Sequence, residues 1–469
     1  MGGAVDAQSS AVRSFDAIII GAGQAGPSMA GRLVGAGKRV AVIERLHFGG
    51  TCVNTGCKPT KTLVASAYAA RMAQRAAEYG VVLNGAPGID MTTVQARAEK
   101  IIQDGRAGIE SWLGGMEGCT VLRGHARFTG PHTLEVGGEA LTAPLIFINV
   151  GGRATVPDMP GLSDVPYLTN SAMVELATLP EHLVVIGGSY IGLEFAQMFR
   201  RFGARVTVIE KGPRLIARED EDVSDAIRAI LEAEGVEVRT GAECLSFARE
   251  GSGVAVRVGC MEGAPQVVGS HVLLAIGRRP NTDDLGLAAA GIATDARGYI
   301  TVDDHLETGV PGVYALGDCN GRGAFTHTAY NDFEIVAANL LDGQDWKVSE
   351  RIAGYALYTD PPLGRVGLTE TQARATGRPL LVGFRPMTRV GRAVEKGETQ
   401  GFMKAVVDAQ TKRILGAAIL GTGGDEAIHG LLDIMNANVP YTVFQRAVPI
   451  HPTVSELIPT LLAEMTPAQ

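Results

Sequence analysis

The chain has 469 residues, 46% of them apolar, and a formal net charge of −8, which allows two to four domains with proper cores and argues against disorder. The acidic balance, with no run of Lys and Arg, excludes a role in binding phosphate backbones, and no apolar stretch reaches the roughly 18 residues of a membrane helix. Residues 1–14 read as a small, polar, flexible arm without a signal-peptide core, so a cytoplasmic protein is expected.

Residues 15–20 form an apolar, strand-like run that leads into Gly21, Gly23 and Gly26, then a helical stretch, a second strand over 39–43, and Glu44. This is a dinucleotide fingerprint with its flanking elements in place. Gly21 suits the tight turn, Gly23 lets backbone approach a pyrophosphate, Gly26 permits close helix packing, and Glu44 can bond a ribose hydroxyl. The chain carries 61 glycines, and many fall where a strand turns into a helix, the place where phosphates are held.

Next comes Gly49, Gly50, Thr51, Cys52, Val53, Asn54, Thr55, Gly56, Cys57, Lys58, Pro59, Thr60, Lys61. In a regular helix the two cysteines would be separated by about 7.5 Å of rise, at or beyond the usual span of a disulfide. An irregular turn at Asn54, Thr55 and Gly56 lets them meet, and Pro59 fits the first turn of the helix that follows. Paired thiols in a chain without a secretion signal point to redox catalysis or metal binding, and the two further thiol or imidazole ligands that zinc would want do not both stand at short spacing. No metal site is expected. Cys119, Cys244, Cys260 and Cys319 stand alone and read as small buried apolar residues.

Residues 62–79 and 91–112 read as helices, and 120–148 as short strands. A run over 145–150 ends in Gly151, and Pro157 and Pro160 mark a linker. The fingerprint then repeats: a strand over 182–186, Gly187-Gly188-Ser189-Tyr190-Ile191-Gly192, a helix, a strand over 205–209, and Glu210. Both acids stand 23 residues after their first glycine. Two modules imply two dinucleotides, most economically a resident flavin and a visiting nicotinamide. Ser189 replaces the middle glycine, so its Cβ is expected to crowd the pyrophosphate. Glu210 would repel a 2′-phosphate and favours NAD, while Lys211 and Arg214 keep NADP open.

A buried strand over 273–277 ends at Gly277, and a strand over 312–316 runs into Gly317 and Asp318, an acid able to bond flavin polyol hydroxyls or to make an Asx turn. Beyond residue 351, strands over 364–368, 401–407 and 414–420 alternate with helical runs over 424–437 and 454–463. This suits a compact α+β association domain.

By these residues the chain resembles the flavin-dependent pyridine nucleotide-disulfide oxidoreductases, the family of glutathione reductase, dihydrolipoamide dehydrogenase and mercuric reductase. The likeness runs over about 15–462 and is carried by the cysteine stretch, both fingerprints, residues 315–318, Thr359-Asp360-Pro361-Pro362 with 366–370, and 451–456. It implies an α/β fold with two Rossmann-like domains and a C-terminal dimerisation domain. The expected boundaries are 15–160 with 281–350 for FAD, 161–280 for NAD(P), and 351–469 for the interface.

The resemblance further implies that electrons pass from NAD(P)H through FAD to Cys52 and Cys57, with Cys52 as interchange thiol and Cys57 as charge-transfer thiol. Lys61 would pair with Glu194 near the flavin, and Tyr190 would be a movable cover over the nicotinamide pocket. FAD would be held by Gly21, Gly23, Gln24, Ala25, Gly26, Glu44, Arg45, Gly50, Thr51, Lys61, Ala126, Gly151, Gly317, Asp318, Phe325, Thr326 and His327. NAD(P) would be held by Gly187, Ser189, Tyr190, Ile191, Gly192, Glu210, Lys211 and Gly277. Thiol exchange needs a proton carrier near neutral pH, and imidazole suits. His451, oriented by Glu456, matches the family dyad, which implies a homodimer because that histidine reaches the cysteines of the partner subunit.

Lys58 stands at a position normally aliphatic in the family, where its charge can lower a thiol pKa or point to solvent. Thr60 and residues 325–333 look more like mercuric-reductase-type members. Yet the chain lacks their N-terminal metal-binding domain and terminal cysteine pair, and it keeps the histidine dyad. A small disulfide or related sulfur compound is therefore the expected substrate, with Hg(II) or Cu(II) reduction, or a dihydrolipoamide dehydrogenase-type subunit, as alternatives.

Overall fold

The computed structural model describes residues 12–259 and 266–468, with the side chain of Cys244 left out. Most of the expected arm, and Cys260, lie outside these residues. The chain divides into two compact units: Met1–Thr60 with Ala96–Thr155 and Gly277–Arg351, and Lys61–Gln95 with Val156–Ile276 and Ile352–Gln469.

The first unit is built on a five-stranded parallel sheet in the spatial order Val313–Ala315, Leu145–Ile148, Ala17–Ile20, Val40–Glu44, Cys119–Arg123. Its central strands are nearly unbroken runs of Ile, Val and Ala because parallel strands are covered on both faces, and Ile18, Ile19, Val42 and Phe147 are fully or almost fully buried. The helices Ala25–Gly35 and Thr326–Leu341 belong to this unit. A smaller sheet joins Ala126–Gly130, Thr133–Val136 and Glu139–Thr142, with Arg13–Ser14 added parallel to the last. Residues 13 and 14 of the expected arm are thus part of a sheet.

The second unit repeats the parallel pattern on a smaller scale: Glu237–Arg239, Arg205–Ile209, His182–Ile186, His271–Leu274. The helix Tyr190–Phe202 follows the second glycine turn and ends on Gly203, whose φ of 117° is a conformation that favours glycine. The same unit holds an antiparallel ribbon of Glu243–Glu250, Gly253–Gly259 and Gln266–Gly269. It also holds a six-stranded sheet, Gly354–Leu357, Leu363–Gly367, Ile414–Leu420, Phe402–Asp408, Leu380–Pro386, Thr466–Pro467.

Asp220 caps the helix Glu221–Ala233 by position, yet its carboxylate accepts hydrogen bonds from the backbone N–H groups of Glu370 and Thr371 and pairs with Lys404 at 3.0 Å. The helix start is thereby tied to the six-stranded sheet. Among the described residues no helix is long and apolar enough to cross a membrane.

Candidate functional site

The expected irregular turn is a break between two helices, Gly50–Asn54 and Cys57–Gln74, with Pro59 in the first turn of the second. Gly49 sits at φ 91°, and a Cβ there would come within 2.5 Å of Val53. Asn54 is buried and donates through Nδ2 to the carbonyls of Phe48 (2.9 Å) and Gly50 (2.8 Å), while Arg106 donates to its Oδ1. The loop conformation is therefore held by side chains that sequence spacing does not reveal.

On this scaffold Cys52 is half-buried, Cys57 is exposed, and both are thiols. A hydrogen bond with Cys57 and burial push the Cys52 thiol well above its ordinary range, while Thr326 and Lys58 pull it down. The Cys57 sulfur lies 3.3 Å from Thr326 Oγ1. Thr326 opens the 16-residue helix Thr326–Leu341, so Cys57 lies at the N-terminal, positive end of a helix dipole. Phe325 caps that helix by position and its ring stacks on His327 at 5.3 Å.

The first glycine turn forms a cradle that side chains would fill. A Cβ at Gly21, where φ is 100°, would lie 2.4 Å from the Asn149 carbonyl oxygen, and one at Gly26 would lie 2.4 Å from the Gly21 carbonyl oxygen. A Cβ at Gly50 would lie 2.9 Å from Gly23 Cα, so the redox loop and the phosphate turn approach each other closely. Gln24 Nε2 donates to the Gly49 carbonyl at 3.1 Å, and Ala25 begins the helix. Glu44 accepts from the N–H groups of Ala22 (2.9 Å) and Leu46 (2.7 Å), and Arg45 pairs with Asp284 at 2.5 Å.

Asp318 follows Gly317 in a short 3-10 turn, and burial pushes its carboxyl upward, with Arg278 at 3.9 Å as opposing charge. Arg278 also donates to the Gly152 carbonyl and to Thr51 Oγ1 (3.3 Å). Gly151 has φ 63°, Ala126 opens a strand, and Gly277 accepts a backbone hydrogen bond from Thr155. A narrow glycine cradle, an acid at the end of the second strand, and a desolvated carboxyl suited to polyol hydroxyls fit FAD. Arg278 and Asn149 were not singled out from the sequence; the Gly277–Arg278 turn and the polar residue ending an apolar strand were the available signals.

In the second unit Lys61 Nζ donates to both oxygens of Glu194 at 2.9 and 2.7 Å and lies 4.5 Å from the Tyr358 ring centre. Glu194 is buried and also accepts from the Tyr358 N–H at 3.0 Å. The second glycine turn mirrors the first. A Cβ at Gly187 (φ 109°) would lie 2.4 Å from the Ala275 carbonyl oxygen, and one at Gly192 would lie 2.1 Å from that of Gly187. Glu210 accepts from Gly188 N (2.6 Å) and Gly212 N (2.7 Å). Ser189 caps the helix by position, with Tyr190 and Ile191 as its first residues. Beside the turn a cavity of about 300 Å³ is lined by Ile186, Gly187, Ile209, Glu210, Lys211, Ala242, Glu243 and Ile276 among others, a mostly apolar slot with a few charged residues in its lining, as nucleotide pockets have.

His451 is exposed, and its Nδ1 lies 2.8 Å from Glu456 Oε2. The expected residues therefore fall into two groups. The first unit holds the cysteines, Thr326, Asp318 and the first glycine turn; the second holds Lys61, Glu194, the second glycine turn and the His451–Glu456 pair.

The chain belongs to the pyridine nucleotide-disulphide oxidoreductase family. That family's model matches residues 15–332, and the model of its dimerisation domain matches 354–462. It is an FAD-dependent disulfide oxidoreductase. It is 35% identical to the probable pyridine nucleotide-disulfide oxidoreductase RclA of Escherichia coli over 96% of this chain and 99% of that protein. It is 34% identical to a dihydrolipoyl dehydrogenase of Thermus scotoductus over 95% and 96%. A solved structure described as the Cu(II) complex of HOCl-induced flavoprotein disulfide reductase RclA from Escherichia coli superposes with a TM-score of 0.88 at 34% identity, covering 96% of this chain and 99% of that one.

Proposed function

We propose that the protein is a cytoplasmic homodimer that oxidises NADH and reduces a small disulfide or related sulfur compound through Cys52 and Cys57. The observation that carries this is the hydrogen-bonded thiol pair on a helix break, with Cys57 against Thr326, in the same unit as the FAD cradle. FAD, when bound, relays two electrons from the nicotinamide to the two sulfurs.

In this reading the Cys52 thiol, held high by Cys57 and by burial, gives its proton to His451 of the partner subunit, attacks one sulfur of the substrate disulfide and forms a mixed disulfide. The departing thiolate takes its proton from His451 of the partner subunit. Cys57 then attacks Cys52, closes the internal disulfide and releases the second thiol. Glu456 fixes the imidazole so that Nε2 faces the exchanging proton. Lys61 is held by Glu194, and Tyr190 covers the nicotinamide pocket until nucleotide enters. The domain limits in this reading are 15–160 with 281–350 for FAD, 161–280 for NAD(P) and 351–469 for the interface, supported by the positions of the two glycine turns.

NADH is favoured over NADPH because a 2′-phosphate entering the cavity would meet both Glu210 and Glu243, with Lys211 as the lining cation. Anaerobic titration with NADH and then NADPH tests the scheme. NADH is expected to raise a long-wavelength thiolate–flavin absorbance that Cys57→Ser abolishes. Persistence of the band in that variant would reverse the assignment of the two sulfurs.

A second reading, reduction of Cu(II) or Hg(II) at the same thiols, is favoured by the RclA structure described as a Cu(II) complex. Metal-stimulated NADH oxidation that needs both cysteines and tolerates His451→Ala would select it.

A further inference from the structure

The loop between the two thiols rests on one step of the helix Met91–Gly114, at Gly105 and Arg106. Val53, the residue after Cys52, is fully buried, and a Cβ at Gly105 would lie 2.8 Å from its Cγ1. Bare backbone at 105 is what lets the loop come this close to the helix. At the next helix position Arg106 donates to Asn54 Oδ1.

Asn54 is 6% exposed, and both of its amide hydrogens are committed, to the Phe48 carbonyl at 2.9 Å and the Gly50 carbonyl at 2.8 Å. Turned over, the amide would set its oxygen against two carbonyl oxygens. Oδ1 must therefore face the helix and find a donor there, and a guanidinium can only donate. Arg106 completes the one seating of Asn54 that the loop allows. Asn54 stands two residues after Cys52 and three before Cys57, so whatever holds it holds the spacing of the two sulfurs.

We propose that Arg106 is a positioning residue for the redox pair: through Asn54 it holds the loop in the conformation from which Cys57 closes on Cys52, and so it sets how readily the disulfide forms. The proposal rests on the reading of Cys52 and Cys57 as the redox pair. In closure the Cys57 thiolate attacks the Cys52 sulfur of the mixed disulfide. The Cys52–Cys57 bond forms, the bond from Cys52 to the substrate sulfur breaks, and the departing thiolate takes a proton. A fixed loop keeps Cys57 at high effective concentration at that sulfur. Loosening it spreads the dithiol over conformations that cannot close, which favours dithiol over disulfide. The loss of one net hydrogen bond corresponds to about three- to tenfold.

The test is anaerobic equilibration of the FAD-loaded protein, at one pH, in mixtures of dithiothreitol and its oxidised form, followed by acid quenching and mass measurement of the alkylated peptide that carries both cysteines. Two electrons and two protons pass from the buffer dithiol to the protein disulfide in this exchange. Arg106→Met is expected to shift the equilibrium toward the protein dithiol about three- to tenfold, and Arg106→Lys, a shorter donor, to lie between it and the parent. In an Asn54→Ala background Arg106→Met should change the equilibrium by less than twofold. A shift of less than twofold or toward the disulfide in Arg106→Met overturns the proposal, as does an undiminished shift in the Asn54→Ala background. If Asn54→Ala does not fold, the order of Arg106→Met and Arg106→Lys decides alone. A parent protein whose Cys52 and Cys57 form no disulfide in any mixture would end the redox-pair reading, and the proposal with it.

Discussion

His451 presents an imidazole that is 78% exposed, yet its Nδ1 is fixed 2.8 Å from Glu456 Oε2. In the proposed reading this oriented ring serves the thiols of the partner subunit. His451→Ala should lower disulfide turnover by about 10²-fold or more, the usual contribution of a positioned acid–base group, with Glu456→Gln intermediate. Reduction of the enzyme by NADH, followed by stopped-flow absorbance, should be unaffected. Equal loss in both half-reactions would remove the histidine from thiol exchange.

Lys61 and Glu194 form a pair in which the carboxylate is buried and the ammonium one-third exposed. Lys61→Met leaves the carboxylate with the Tyr358 N–H as remaining partner, and should cost about 2 kcal/mol in denaturant unfolding, less than for a wholly buried pair because solvent screens the lysine. Lys61→Met with Glu194→Gln should recover much of that stability. Reduction of the cysteines by NADH should remain slow in the double variant, and normal rates there would make the pair purely structural.

Glu210 lines the cavity beside the second glycine turn while accepting two backbone N–H groups. Glu210→Gln keeps one acceptor oxygen and removes the charge. The ratio of kcat/KM for NADH over NADPH should fall by about tenfold, the scale of one unfavourable charge contact removed. An unchanged ratio would place nucleotide selection elsewhere.

His182 begins a central strand, with Nδ1 2.8 Å from the Val268 carbonyl and Nε2 2.9 Å from Thr207 Oγ1. Burial and then Arg205 hold it below its ordinary value, so the folded state favours neutral imidazole and the unfolded state binds the proton first. Its contribution is complete above the unfolded value near 6.5 and is lost as pH falls below it. The unfolding midpoint should drop between pH 7 and pH 5, and His182→Gln should flatten that slope. An identical slope in the variant would assign the acid sensitivity to other groups.

The sequence by itself determined the features that are local in the chain. Both glycine turns, their acids 23 residues on, and the broken helix around Cys52 and Cys57 were legible because backbone conformation and close approach demand particular residues at fixed spacing. Strands over 205–209 and 414–420 were legible from their Val, Ile, Leu and Ala content, whereas the helix expected over 62–79 begins at Cys57 and gives way after Gln74 to a 3-10 turn at Ala76–Tyr79. Only the tertiary structure decided which distant residues hold these pieces. Arg278 bonds Thr51 across 227 positions, and Arg365 reaches Glu219 across 146. Sheet order, not chain order, makes those neighbours, and a buried arginine looks like a solvated one until its carboxylate is found beside it.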